Sequence, residues 1–130
     1  MSTLQKIPAF YTTIDTARNL VRTRFSGKLT AVEMRAAAEE VESIVQKLKP
    51  NFTLFGNFRA VTSMDLDCVP YLTEIMDILR AHSMGMVVRI LPEPAIDIGI
   101  NLLSIVHYRG AIKTVTVETL DEAERVLATL

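Results

Sequence analysis

Apolar positions along this chain recur in two rhythms, and the changes of rhythm divide it into nine elements. Phe10 to Ile14 is short, aromatic and rich in β-formers, and reads as a strand. Leu20 to Phe25 alternates basic residues (Arg22, Arg24) with others, the pattern of a strand with one wet face. Ser26-Gly27-Lys28 is expected to turn the chain. Thr30-Ala31-Val32-Glu33 then has the spacing of a capping box, in which threonine and glutamate each take an orphan amide of the first turn. Met34, Ala37, Val41, Ile44, Val45 and Leu48 follow at helical spacing until Pro50-Asn51.

Phe52 to Phe58 is mostly apolar without alternation, as expected of a strand buried on both faces. A second helix is predicted from about Cys68 to His82, with Val69, Leu72, Ile75, Met76 and Leu79 on one side. Asp67 is its expected N-cap, because Pro70 then falls in the first turn, where no amide is needed. Asp65 is expected to hydrogen-bond the turn before it. Ser83-Met84-Gly85 closes the helix. Met86 to Leu91 reads as a buried strand, ended by Pro92-Glu93-Pro94. Ala95 to Tyr108 reads as a third helix, apolar almost all round and stopped by Gly110. Ile112 to Val117 is a strand, and Thr119-Leu120-Asp121-Glu122 repeats the capping-box pattern before a last helix. After an opening hairpin, strands and helices alternate at crossover spacing, which predicts a largely parallel sheet covered by helices.

Composition sets the outer limits. The 130 residues are 49% hydrophobic and 22% charged, enough apolar material for one folded domain without disulfides or metals. Fourteen basic side chains stand against 15 acidic ones, and no Lys/Arg cluster runs along the sequence, so nucleic-acid binding is not indicated. The single cysteine, Cys68, fits a reducing compartment. Met1 to Ala9 lacks the apolar core of a signal peptide, and no apolar run reaches membrane-spanning length. A cytoplasmic protein without membrane insertion is expected.

Little in the chain points to catalysis. Asp65 and Asp67 are closely spaced beside a predicted strand end, where ligands of open α/β sheets bind, but further oxygen ligands for a metal are missing nearby. His82 and His107 lie near predicted helix ends without partners at metal spacing. Cys68 has no base in view, although a helix N-terminus would lower its pKa. The five glycines form no phosphate-binding loop. No metal and no cofactor is expected.

Four stretches, taken in order and spacing, carry a resemblance. They are Gly27-Lys28-Leu29-Thr30, Asn57-Phe58 with Val61-Thr62-Ser63-Met64-Asp65, Pro94-Ala95-Ile96, and Thr119-Leu120-Asp121-Glu122-Ala123. Together they resemble the STAS domains, the group of bacterial anti-sigma-factor antagonists and sulfate-transporter C-terminal domains, over about Phe10 to Leu127. The resemblance implies an α/β fold with a mixed, mainly parallel sheet of about five strands and about four helices. Residues 10–130 would form the domain and 1–9 an N-terminal extension.

The same resemblance implies a non-enzymatic protein-interaction module in signalling. Its partner would be a kinase-like anti-sigma factor or a sensor protein, and a homodimer stays open. In the signalling members the serine after the motif aspartate is phosphorylated by the partner kinase. Here that position is Leu66, the next serine is Asp67 and the glycine is Cys68. Leu66 cannot accept phosphate, and a carboxylate at Asp67 carries less charge and fewer acceptor oxygens than a phosphate. The implied partner-binding residues are Arg59, Asp65, Leu66, Asp67 and Tyr71, with Thr62 or Ser63 as displaced acceptors. Two other readings remain: a binder of a small apolar ligand or lipid through the third helix and sheet edge, and an enzyme using Asp65, Asp67 or Cys68.

Overall fold

The run from Phe52 to Phe58 has no alternation because both of its faces are covered. In the computed structural model, which describes residues 9–92 and 112–130, it lies in the central strand of a five-stranded sheet. The described elements are β1 (Phe10–Asp15), β2 (Leu20–Leu29), α1 (Ala31–Val45), β3 (Thr53–Met64), α2 (Val69–Ala81), β4 (Met86–Ile90), β5 (Lys113–Val117) and α3 (Leu120–Leu127). A single 3₁₀ turn, Leu66–Cys68, joins β3 to α2. The helix predicted over Ala95 to Tyr108 lies outside the described residues, as does His107.

Strand order across the sheet is β1-β2-β3-β4-β5. The hairpin β1–β2 is antiparallel, and every later pairing is parallel. Successive side chains on a strand point to opposite faces, so Leu54 and Phe55 belong to different cores. On one face Leu54 packs with Val21, Phe25, Phe58 and Val87 beneath α1 and α2. On the other, Phe55 packs with Leu20, Val88, Ile90 and Val117 beneath Ala123 and Leu127 of α3. Phe10, Phe25 and Phe58 form a row across three strands, each adjacent pair of ring centroids 4.9 Å apart.

Helix starts follow the predicted chemistry at both threonines. Thr30 and Glu33 form the reciprocal capping box, Thr30 N–H donating to Glu33 Oε1 at 3.2 Å. Thr119 accepts from the Glu122 amide at 3.1 Å, while Glu122 holds the Thr119 hydroxyl rather than its backbone amide. Arg22 pairs with Glu124, tying α3 to β2.

Three expectations are corrected. Ser26-Gly27-Lys28 does not turn the chain: β2 continues to Leu29, and two register shifts, with Gly27 at φ 71°, absorb the irregularity. Glycine suits that left-handed conformation because it has no Cβ to clash. The central strand extends past Phe58 to Met64, since β2 supplies pairing along that length. Asp67 does not cap α2. The 3₁₀ turn precedes the helix, Cys68 stands at its N-cap, and no side-chain cap bond forms.

Replacing Leu54 or Phe55 by alanine is expected to lower stability by ~2–5 kcal/mol, because each leaves a cavity in a different face of the same strand. Urea unfolding of the two variants measures this. A loss under about 1 kcal/mol at either would show that its face is poorly packed.

Candidate partner-binding edge

Parallel β2 and β3 end side by side, with Leu29 opposite Met64, and each strand feeds a helix start. One carbonyl joins the two exits. Leu29 O accepts the Asp65 amide at 3.1 Å and the Cys68 thiol at 3.4 Å. The Cys68 amide closes the 3₁₀ turn on Asp65 O at 2.9 Å. Pro70 sits in the first turn of α2, where its missing amide leaves nothing unpaired.

Because Cys68 points inward and is fully buried, the three residues before it are pushed outward. Asp65, Leu66 and Asp67 are all exposed. Leu66 is 73% exposed. Neither Asp65 nor Asp67 has an ion-pair partner among the described residues. The edge is therefore acidic, with an apolar side chain between two carboxylates.

Tyr71, in the first turn of α2, is half-buried and packs on the core beneath that helix. Arg59 lies within β3 and not on the turn after it. Its guanidinium donates to Glu118 O at 2.9 Å, toward the segment that leads into α3. The structure thus brings Asp65, Leu66 and Asp67 together, sets Tyr71 just beyond, and directs Arg59 elsewhere.

Val32 was not singled out by the sequence reading. It lies in the first turn of α1, a helix that packs against the 3₁₀ turn, and is 79% exposed. Its signal is positional: the buried stripe of α1 is Met34, Ala37, Ala38, Val41 and Val45, and Val32 lies off it.

The thiol of Cys68 behaves differently from a reactive cysteine at a helix start. Burial pushes its pKa up, a backbone interaction at Asp65 partly opposes this, and the charges of Asp65, Asp67 and Glu33 raise it further. Desolvation wins over the helix N-terminus. Among the described residues no group of three or more His, Cys, Asp or Glu could hold a metal. No described helix is long and apolar enough to cross a membrane.

Between the sheet and the pair α1 and α2 lies an apolar cavity of about 40 Å³, lined by Phe25, Val41, Leu54, Phe58 and Leu79 among others. A core cavity of ~150 Å³ is known to hold a benzene ring, so this one is too small for a lipid chain.

No protein-family model matches the sequence, and no curated protein matches it. Solved structures do. The anti-sigma factor antagonist SpoIIAA in its unphosphorylated form superposes with a TM-score of 0.65 at 18% identity, covering 94% of this chain and 100% of that one. The Bacillus cell fate determinant SpoIIAA in its phosphorylated form gives 0.62 at 17% identity, covering 91% and 99%. An anti-sigma factor antagonist from Mycobacterium paratuberculosis gives 0.57 at 16% identity, covering 96% and 99%. The chain has the SpoIIAA-like, STAS-type α/β fold.

The raised thiol pKa carries a sign. The native state keeps its proton where the unfolded chain has begun to lose it, so this group's contribution is complete at neutral pH and is lost as pH rises. Stability is expected to fall above about pH 8.5, and Cys68→Ala to flatten that decline, both read from urea midpoints. A thiol reagent should label native Cys68 slowly at pH 8 and the unfolded chain at once. Rapid labelling of the folded protein would show an accessible thiolate.

Proposed function

We propose that this protein is a non-enzymatic interaction module of the cytoplasm that holds a protein partner at the edge formed by Asp65, Leu66 and Asp67. Its partner would be a kinase-like anti-sigma factor or a sensor protein. The fold it shares with anti-sigma factor antagonists supports this class of role. The observation that carries the reading is Leu66, an exposed leucine on a hydrogen-bonded turn between two carboxylates that have no ion pair among the described residues.

Burial of one leucine in a partner's pocket would be worth about 1.5–3 kcal/mol. Val32, on the neighbouring helix start, would extend the same contact. The carboxylates on either side would orient a basic rim on the partner without supplying most of the affinity.

Contact of this kind is constitutive. SpoIIAA has been solved both phosphorylated and unphosphorylated, and the resemblance in sequence sets its switch at the position that Leu66 occupies here. Leucine offers no hydroxyl, so the partner would not be released by phosphate at that point. The cavity under α1 and α2 is too small to favour a lipid-binding role, and the buried, proton-retaining Cys68 does not favour a nucleophile.

Leu66→Glu is expected to weaken partner binding by about tenfold or more, with the circular dichroism spectrum unchanged. Titration calorimetry against a partner captured from the host measures it. Unchanged affinity would move the interface away from this edge. Phosphopeptide mapping after incubation with a kinase-like partner and ATP should find no phosphate on this segment. Stoichiometric phosphate on Thr62 or Ser63 would show instead that the switch has shifted along β3.

A further inference from the structure

We propose that β1 is a dimerisation edge, at which two copies of this chain join their sheets antiparallel about a twofold axis through Thr12. This surface is separate from the Leu66 edge and does not depend on that reading.

Among the described residues β1 pairs only with β2, and its register from Phe10 opposite Phe25 to Asp15 opposite Leu20 is unbroken. The phase of the ladder is fixed by the Ser26 amide, which donates to Ala9 O at 3.0 Å. Antiparallel pairs alternate between hydrogen-bonded and non-hydrogen-bonded. Ala9, Tyr11, Thr13 and Asp15 therefore direct their backbone groups toward β2, and Phe10, Thr12 and Ile14 direct theirs outward.

Folded proteins usually block such an edge with a lysine, a proline, a bulge or an inward charge. The sequence Phe10-Tyr11-Thr12-Thr13-Ile14-Asp15 contains none of the first three, and its one charge is at the end. At the opposite side of the sheet, β5 opens with Lys113.

The edge is also complementary to itself. With Thr12 facing Thr12 of a second copy, Phe10 faces Ile14 and Tyr11 faces Thr13. Three outward residues on each strand then exchange about six backbone hydrogen bonds. Phe10 and Ile14 already pack against the core beneath α1 and α2, so their pairing continues that apolar layer across the seam. On the other face Asp15 falls opposite Ala9 of the second copy. An interface of this type is isologous, so two copies close it and no further chain can add at that edge.

Sedimentation equilibrium of the full chain from about 10 μM to 1 mM is expected to show a concentration-dependent dimer, a range suited to a seam smaller than a standard interface. Thr12→Pro removes an amide that faces away from β2, a position where an edge strand tolerates proline. It should weaken dimerisation at least tenfold while leaving the urea midpoint and circular dichroism spectrum close to those of the parent. Thr12→Cys should form a disulfide-linked dimer on mild oxidation, because facing residues of a hydrogen-bonded pair have Cα atoms about 5.5 Å apart. Asp15→Cys, which would face Ala9, should not. Leu66→Glu should leave the dimer unchanged. A monomer at every concentration without a Thr12→Cys cross-link, or a dimer indifferent to a folded Thr12→Pro, overturns the proposal. Should Thr12→Pro fail to fold, the contrast between the two cysteine variants decides alone.

Discussion

Burial of β3 on both faces is the constraint around which the remaining elements are arranged. A strand with Leu54 and Phe58 facing one core and Phe55 facing the other requires cover above and below, and neighbours on both edges. Parallel neighbours cannot be joined by a tight turn, so the connections from β2 to β3 and from β3 to β4 each cross a face and leave a helix there. Once β2, β3 and β4 are parallel, their C-terminal ends share one border. The exposed turn of Leu66 is at that border because the topology puts every crossover start there, not because local sequence selects it.

The carbonyl of Leu29 turns that arrangement into a defined surface. It receives both the Asp65 amide and the Cys68 thiol, so the exit from β3 is held to the exit from β2 at two points, before the 3₁₀ turn and at its last residue. With both ends fixed, Leu66 has no inward orientation left to adopt. Exposure of this side chain is thus enforced by its neighbours. The carboxylates beside it are exposed at the surface, and burial holds the Cys68 thiol in its neutral form beneath them. Polarity changes sharply over one turn of chain.

Much of this fold was legible because the strongest signals are local or periodic. The apolar run of β3, the stripe Met34-Ala37-Val41-Val45 and the Thr30–Glu33 box each read correctly because each depends on residues close in sequence. Ser26-Gly27-Lys28 misled because its residues have turn chemistry, while pairing with β3 across the sheet holds the chain extended. Asp67 misled in a similar way. An aspartate before a proline is a good cap, but the Cys68 amide finds Asp65 O within a 3₁₀ turn, and the side chain is left to solvent. Sequence spacing placed Asp65, Leu66 and Asp67 together before a helix start, while the surroundings of that turn were not readable from it. Val32 and the turning of Arg59 toward Glu118 follow from how distant strands and helices meet.

Strand order in this sheet is the same as strand order in the chain. During synthesis each new strand can therefore add to the open border of what has already formed, and none has to be threaded between two strands already paired. The β1–β2 hairpin forms from near neighbours, and β3 docks on it through a single helical crossover, before β4 and β5 have left the ribosome. Non-local pairing is the slow part of folding in sheets of this kind. Here that delay is divided into ordered steps: Leu54 is covered once α1 and α2 are in place, whereas the face of Phe55 waits for Ala123 and Leu127 at the end of the chain.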